Sequence, residues 1–365
     1  VRTCVVGGGL AGTLLAWRLA LAAPHDVIDL VLGPRCRADA TTASGGAVRA
    51  YEPDPEQRRL ATASLVELLA SPTLRRWGRY QRVASVYLRS GGPVPAAELA
   101  EIDRSLPGSV QPLSAAGLAR LGWADVHPGA VAVHEHRAGY LAPGKLRDAV
   151  LADGATRRRV RLLPAALDVL TLRDNGTVEC LVGAGRREYD VVVLAAGAWT
   201  PGLLASAGLP AGDYRTKSIQ YTVYRTGDFR PPQFVDEVIG LYGRPAPDGG
   251  LLLGLPTDQW GVDPDRPPVT PALQEAAVRL ARTRFPRLRI GPAARTVGGA
   301  DCYGAHPTLT LRPVVGTDHR LFTFTGGAGG SVKTALAASQ DAATQLAGKD
   351  DSSALMPLVP REGKP

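Results

Sequence analysis

Of 365 residues, 45% are hydrophobic and 21% charged, and the formal net charge of +8 is carried mostly by arginine. This is the balance of an ordinary soluble globular protein with room for two domains, and no stretch reaches the roughly 18 uninterrupted apolar residues of a membrane span. Arginines cluster at Arg75, Arg76 and Arg79 and at Arg157 to Arg159 with Arg161; no known nucleic-acid-binding motif accompanies them, which argues against nucleic acid and leaves a solvated face or an acidic partner or ligand.

The chain opens on VRTCVVGGGLAGTLLAWRLA, an apolar run that stops at Gly7 and passes into an Ala/Leu-rich helical pattern after Gly12. This is the strand–turn–helix form of G-x-G-x-x-G. Gly7 permits the tight turn, Gly9 lets the backbone approach a pyrophosphate, and Gly12 allows close helix–strand packing. The anion would sit at the helix N-terminus, where free N–H groups and the dipole favour negative charge. The glycines and Arg18 break the segment as a secretory signal, so the expected location is the cytoplasm.

Asp26–Leu32 reads as the second parallel strand. The acidic residue that usually ends this strand and binds the adenosine ribose is replaced by Gly33, and Asp29 is mid-strand. A Gly/Ser/Thr-rich stretch follows to residue 48, then a helix over Glu56–Ala70 and an alternating strand over Gln81–Leu88. Short helices are expected across 95–122, and a turn and helix across 139–155. Strands are expected over Arg159–Leu172 and Val178–Leu181, with Asp174-Asn175-Gly176 as a hairpin turn.

Asp190–Ala195 is a continuous apolar strand, as in a parallel sheet buried on both faces, and it runs into a second glycine turn at Gly197. Ile219–Thr226 and Gly250–Leu255 read as strands of a second sheet. A helix over Pro271–Arg284 precedes a Pro-rich passage to Gly299. Leu321–Thr325, the turn TGGAGGSVK and a helix over Thr334–Leu346 repeat the opening pattern, and a polar tail follows.

Cys4, Cys36, Cys180 and Cys302 are far apart and form no C-x-x-C pair, which argues against a zinc site and a disulfide framework. His127, His134, His136, His306 and His319 are scattered, in no metal or nucleophile pattern. No metal is expected.

Three widely spaced glycine turns suggest one cofactor domain assembled from several segments. The layout resembles the FAD-dependent D-amino-acid oxidase superfamily, nearest its monomeric sarcosine oxidase branch. The matching segments, in order, are VVGGGLAG, SGGAVRAY (44–51), GYLAPGKLRDAVL, DVVVLAAGAWTPGLL, YGRPAPDGGLLLG (242–254), CYGAHPTLTLRPVVG (302–316) and TGGAGGSVKTALA. The resemblance implies an α/β fold with a discontinuous Rossmann-like FAD-binding domain (1–79, 137–209 and 296–350), an antiparallel-sheet substrate domain (80–136 and 210–295) and a tail at 351–365.

It implies FAD contacts from Gly7, Gly9, Leu10, Ala11 and Gly12; from Ser44, Gly45 and Gly46; from Ala196, Gly197 and Trp199; and from Gly326, Gly329, Gly330, Ser331 and Lys333. It also implies a covalent flavin bond from Cys302. The family's reaction passes a hydride equivalent from an amine carbon to flavin N5 and leaves an imine that hydrolyses. A carboxylate-bearing amine needs a cationic clamp. By resemblance this is Arg49 with Lys333, and Tyr242 lies beside the flavin.

Two departures stand out. Leu252 occupies the place of the family's oxygen-activating lysine, and Gly329-Gly330-Ser331 lacks its histidine. The expected function is therefore oxidation of an amine or amino acid, a secondary or cyclic one favoured, in specialised metabolism. The alternatives are a dehydrogenase or other flavin reaction on a metabolite borne by an acidic carrier protein, or an FAD-holding subunit without turnover.

Overall fold

The structure, a computed structural model, describes residues 1–22, 26–34 and 39–348; Cys36 and the tail beyond Gly348 lie outside them. It is a mixed α/β fold built on two large sheets. The first has six strands in the order Thr310–Pro313, Leu321–Thr325, Val191–Leu194, Arg2–Val6, Val27–Val31 and Val160–Leu163. All neighbours are parallel except the Thr310–Pro313 edge strand. Helices Leu10–Ala22, Pro55–Ala70 and Ser331–Ala347 cover one face with Trp17, Leu14, Leu65, Phe322 and Leu336. Both faces are thus sealed, which explains why these strands read as unbroken apolar runs.

The other face packs on a three-stranded antiparallel sheet, Leu167–Leu172, Val178–Val182 and Gly185–Tyr189, through Cys4, Cys180 and Leu204. The single strand expected over Arg159–Leu172 is two. Val160–Leu163 edges the parallel sheet, and Leu167–Leu172 joins the small one. Pro164 lies between them, and with no N–H it cannot continue a ladder. Asp29 turns to this side and is fully buried. Its carboxylate takes Arg161 Nε at 2.7 Å and the Tyr189 hydroxyl at 2.5 Å. Arg159 donates to the Ala20 carbonyl of the first helix at 2.7 Å. Two members of the basic run are therefore structural, leaving Arg157 and Arg158 exposed, with no side-chain hydrogen bond or ion pair to the described residues.

The helix expected over Glu56–Ala70 starts one residue earlier, at Pro55. Asp54 caps Pro55–Ala70 by accepting from Gln57 N at 2.7 Å, with Pro55 at the first helical position. Arg18, buried in the first helix, pairs with Glu67 and lies over the Trp17 ring.

The second sheet has eight strands: Ile290–Tyr303, Arg215–Thr226, Gly250–Gly254, Leu241–Pro245, Gln233–Asp236, Ser85–Ser90, Ala130–Glu135 and Val110–Leu113. It is antiparallel except where Gln233–Asp236 meets Ser85–Ser90, the seam between the two chain segments that build it. Its outer face packs on helix Pro271–Arg284 through Phe234, Phe285 and Trp123, pinned by Arg284 Nε to Asp236 at 2.8 Å. The Pro-rich passage expected as irregular chain is largely the strand Ile290–Tyr303, which crosses the expected boundary at residue 296. It edges the sheet, and its register shifts around Pro292, the two settings in which a strand tolerates proline. Gln233–Asp236 and Leu241–Pro245 also carry too little alternation to be read as strands.

Candidate active site

The parallel strands Arg2–Val6, Val27–Val31, Val191–Leu194 and Leu321–Thr325 end at one cavity of about 910 Å³, faced by the second sheet. Ligands of open α/β sheets bind outside the carboxyl ends of the strands. The volume is at the upper end of the roughly 300–1,000 Å³ usual for ligand sites, as a large cofactor with a substrate would need.

The opening turn is built for close approach. Gly7 has φ +129°, and a Cβ there would lie 2.3 Å from the Ala195 carbonyl oxygen. A Cβ on Gly12 would lie 2.2 Å from the Gly7 oxygen. Gly7, Gly9, Leu10 and Ala11 line the cavity, as do Ser44 to Gly46, Ala196, Gly197 and Trp199, and Gly329, Gly330, Ser331 and Lys333. Gly12 and Gly326 are not in the lining: Gly12 serves the helix–strand contact, and a Cβ on Gly326 would meet the Tyr214 ring at 2.9 Å. Gly33, Asp39, Thr41 and Arg147 also line the cavity. Thr41 Oγ1 accepts from Leu10 N at 2.9 Å, and Arg147 lies 3.9 Å from Asp39.

Cys302 requires a correction. Asp301 and Tyr303 line the cavity and Cys302 does not, because successive side chains of a strand point to opposite faces. Its thiol is fully buried against Thr325 and Gly326, and burial pushes it up to about 12. A thiol is nucleophilic only as the thiolate, so this site neither presents nor activates the sulfur.

Arg49 and Lys333 both reach the cavity wall, but not as an open clamp. Glu52 Oε1 lies 2.7 Å from Arg49 Nη2 and 2.8 Å from Lys333 Nζ, and all three residues are buried. Burial raises the Glu52 carboxyl, yet the two cations outweigh it and hold it below its ordinary value. Burial likewise draws the Lys333 ammonium down, more than Glu52 restores. Glu135 completes the cluster, accepting from Ala50 N at 2.7 Å and Tyr51 N at 3.1 Å; burial pushes it up to about 7. Tyr242 lines the cavity, but its hydroxyl donates to the Gln220 carbonyl at 2.8 Å, so its proton is committed to the backbone.

Glu52, Glu135, Arg244 and Asp301 are functional candidates that sequence reasoning missed. Asp301 accepts from Cys302 N at 2.8 Å and Gly329 N at 3.0 Å, which ties the last glycine turn to the second sheet; burial pushes it up to about 6. Leu252 packs 3.5 Å from where a Gly45 Cβ would lie, and its partner in register is Arg244.

A glycine-turned cavity at the ends of a parallel sheet, closed by a second sheet, defines the class of two-domain dinucleotide-dependent oxidoreductases. The chain belongs to the FAD dependent oxidoreductase family (DAO), whose family model matches residues 2–345. FAD is thus its cofactor, and the glycine turns and the size of the cavity fit it. Among solved structures, the chain is similar to iminodiacetate oxidase from Chelativorans sp. BNC1, at 22% identity and TM-score 0.72 over 95% of each chain. It is similar to glycine oxidase from Geobacillus kaustophilus, at 18% identity and TM-score 0.75 over 96% of each. L-proline dehydrogenase from P. horikoshii follows at 16% and 0.74, over 94% of this chain and 92% of that one. No curated protein sequence matches. Among the described residues no helix is long and apolar enough to cross a membrane.

Proposed function

We propose that this protein oxidises the C–N bond of an amine or amino acid, with a secondary or cyclic amine favoured. The observation that carries this reading is a cavity lining with buried cations at two places, Arg49 and Lys333 around Glu52 and, apart from them, Arg244 against the Gly45 carbonyl. Such a lining suits an amine that bears an acidic group. The names of the similar structures, an iminodiacetate oxidase, a glycine oxidase and an L-proline dehydrogenase, support the same chemistry.

FAD held by the glycine turns would supply the oxidant for this reaction, a two-electron acceptor for the hydride equivalent on the carbon that carries the nitrogen. The protein's own residues orient the substrate and keep water out. With Glu52 between them, Arg49 and Lys333 retain one net positive charge, which sets the field on their side of the cavity. Leu252 and Tyr221 supply apolar surface that would exclude water from the reacting carbon.

Anaerobic titration of the FAD-loaded protein with a panel of amines tests the reading. Bleaching of the flavin band by secondary or cyclic amino acids is expected; bleaching by hydroxy acids with none by amines would reject it. A second expectation follows from Cys302. Acid precipitation should release all yellow colour into the supernatant, and colour retained in the pellet would require the thiol to reach the flavin after all.

A further inference from the structure

We propose that Arg244 is the residue that holds the acidic group of the substrate, a carboxylate on the amine; this rests on the amine-oxidation reading above. Five arginines are buried among the described residues: Arg18, Arg49, Arg58, Arg244 and Arg284. Four pair with a carboxylate: Arg18 with Glu67, Arg49 with Glu52, Arg58 with Glu101 and Arg284 with Asp236. Arg244 alone has none, although it is only 9% exposed. A buried charge without a counter-charge is costly, and proteins rarely keep one without a use for it.

The geometry shows what Arg244 is arranged to do. It leaves strand Leu241–Pro245 toward the cavity and lies over the Tyr140 ring, 4.1 Å from its centroid. Its Nε donates to the Gly45 carbonyl at 2.5 Å and its Nη1 to the Pro245 carbonyl at 2.7 Å. Two neutral carbonyls and a ring face fix the guanidinium without cancelling its charge. Its Nη2 group makes no hydrogen bond to the described residues and remains available to an acceptor in the cavity. Guanidinium is suited to binding carboxylate in a set orientation. The clamp implied by the sequence, Arg49 with Lys333, is already engaged by Glu52. The open cation is therefore on the opposite strand system, against Gly45 and next to Leu252.

The test uses FAD-loaded protein titrated with propionate and, separately, propionamide, followed by perturbation of the flavin absorbance. Propionate should bind the unaltered protein, weaken at least tenfold in Arg244→Met and recover in part in Arg244→Lys. Propionamide binding and FAD content should stay unchanged, which separates loss of a charge contact from misfolding. Propionate that fails to bind the unaltered protein, or binds Arg244→Met equally well, overturns the proposal. If equal binding comes with a more negative flavin potential in Arg244→Met, the guanidinium serves the anionic reduced flavin instead. This titration needs no turnover, so it stands or falls separately from the amine screen.

Discussion

Replacing Gly12 by alanine is expected to weaken FAD binding at least a hundredfold and to lower the thermal midpoint of the protein. The added Cβ would lie 2.2 Å from the Gly7 carbonyl oxygen and 3.1 Å from Ala195 Cβ. Neither neighbour can give way easily. Gly7 N is bonded to Val31 O at 2.8 Å, and Ala195 N to Val6 O at 2.7 Å, so both belong to the central ladder. The first helix must then move off the sheet, taking with it the N–H groups of the turn that faces the cofactor. Overpacking a core costs about 1–3 kcal/mol, and a hundredfold loss of affinity corresponds to about 2.7 kcal/mol. Flavin fluorescence titration measures the binding. Gly144→Ala is the control: its added methyl meets nothing within 4 Å, and little change is expected. An unaltered FAD affinity in Gly12→Ala would mean that the helix–strand contact does not set the cofactor turn.

Glu52→Gln should destabilise the protein by roughly 3–5 kcal/mol near pH 8, because it leaves two buried cations without their shared carboxylate. Its pH dependence is distinctive. Glu52 is held below its ordinary value in the fold, so its stabilisation is present above the unfolded value and fades as acid titrates the folded group. Glu135 behaves oppositely. Its folded value of about 7 lies above the ordinary 4.5, so the native state keeps its proton while the unfolded chain loses it, and stability falls as pH rises between those values. That slope amounts to about 3 kcal/mol across the interval. In Glu52→Gln, Arg49 is free to act as counter-ion to Glu135, which lowers the Glu135 value and flattens the slope. Urea midpoints of both forms at pH 5, 6, 7 and 8 measure this. Equal midpoints at pH 8 would show that Glu52 is not the counter-ion of the cluster.

The glycine turns were readable because close backbone approach and positive φ restrict residue choice so strongly that a local pattern suffices. The helix over Glu56–Ala70 was readable to within one residue because its apolar spacing repeats along a single turn-to-turn face. The strand Ile290–Tyr303 was not, because its prolines are tolerated only by its place at an edge, and an edge is a property of the sheet. Missing that strand also hid the alternation that turns Cys302 away while aiming Asp301 and Tyr303 inward. Glu52 lies three residues after Arg49, yet its second partner Lys333 is 281 positions away, and no sequence spacing links them.

By itself the sequence determined the fold class, the family and the cofactor, because these depend on local geometry repeated at the ends of strands. The charge balance of the active site was decided only by the tertiary structure. A guanidinium looks the same in any sequence, and whether it is compensated depends on which carboxylates the fold brings within about 4 Å. Glu52 compensates Arg49 and Lys333; no carboxylate of the described residues compensates Arg244.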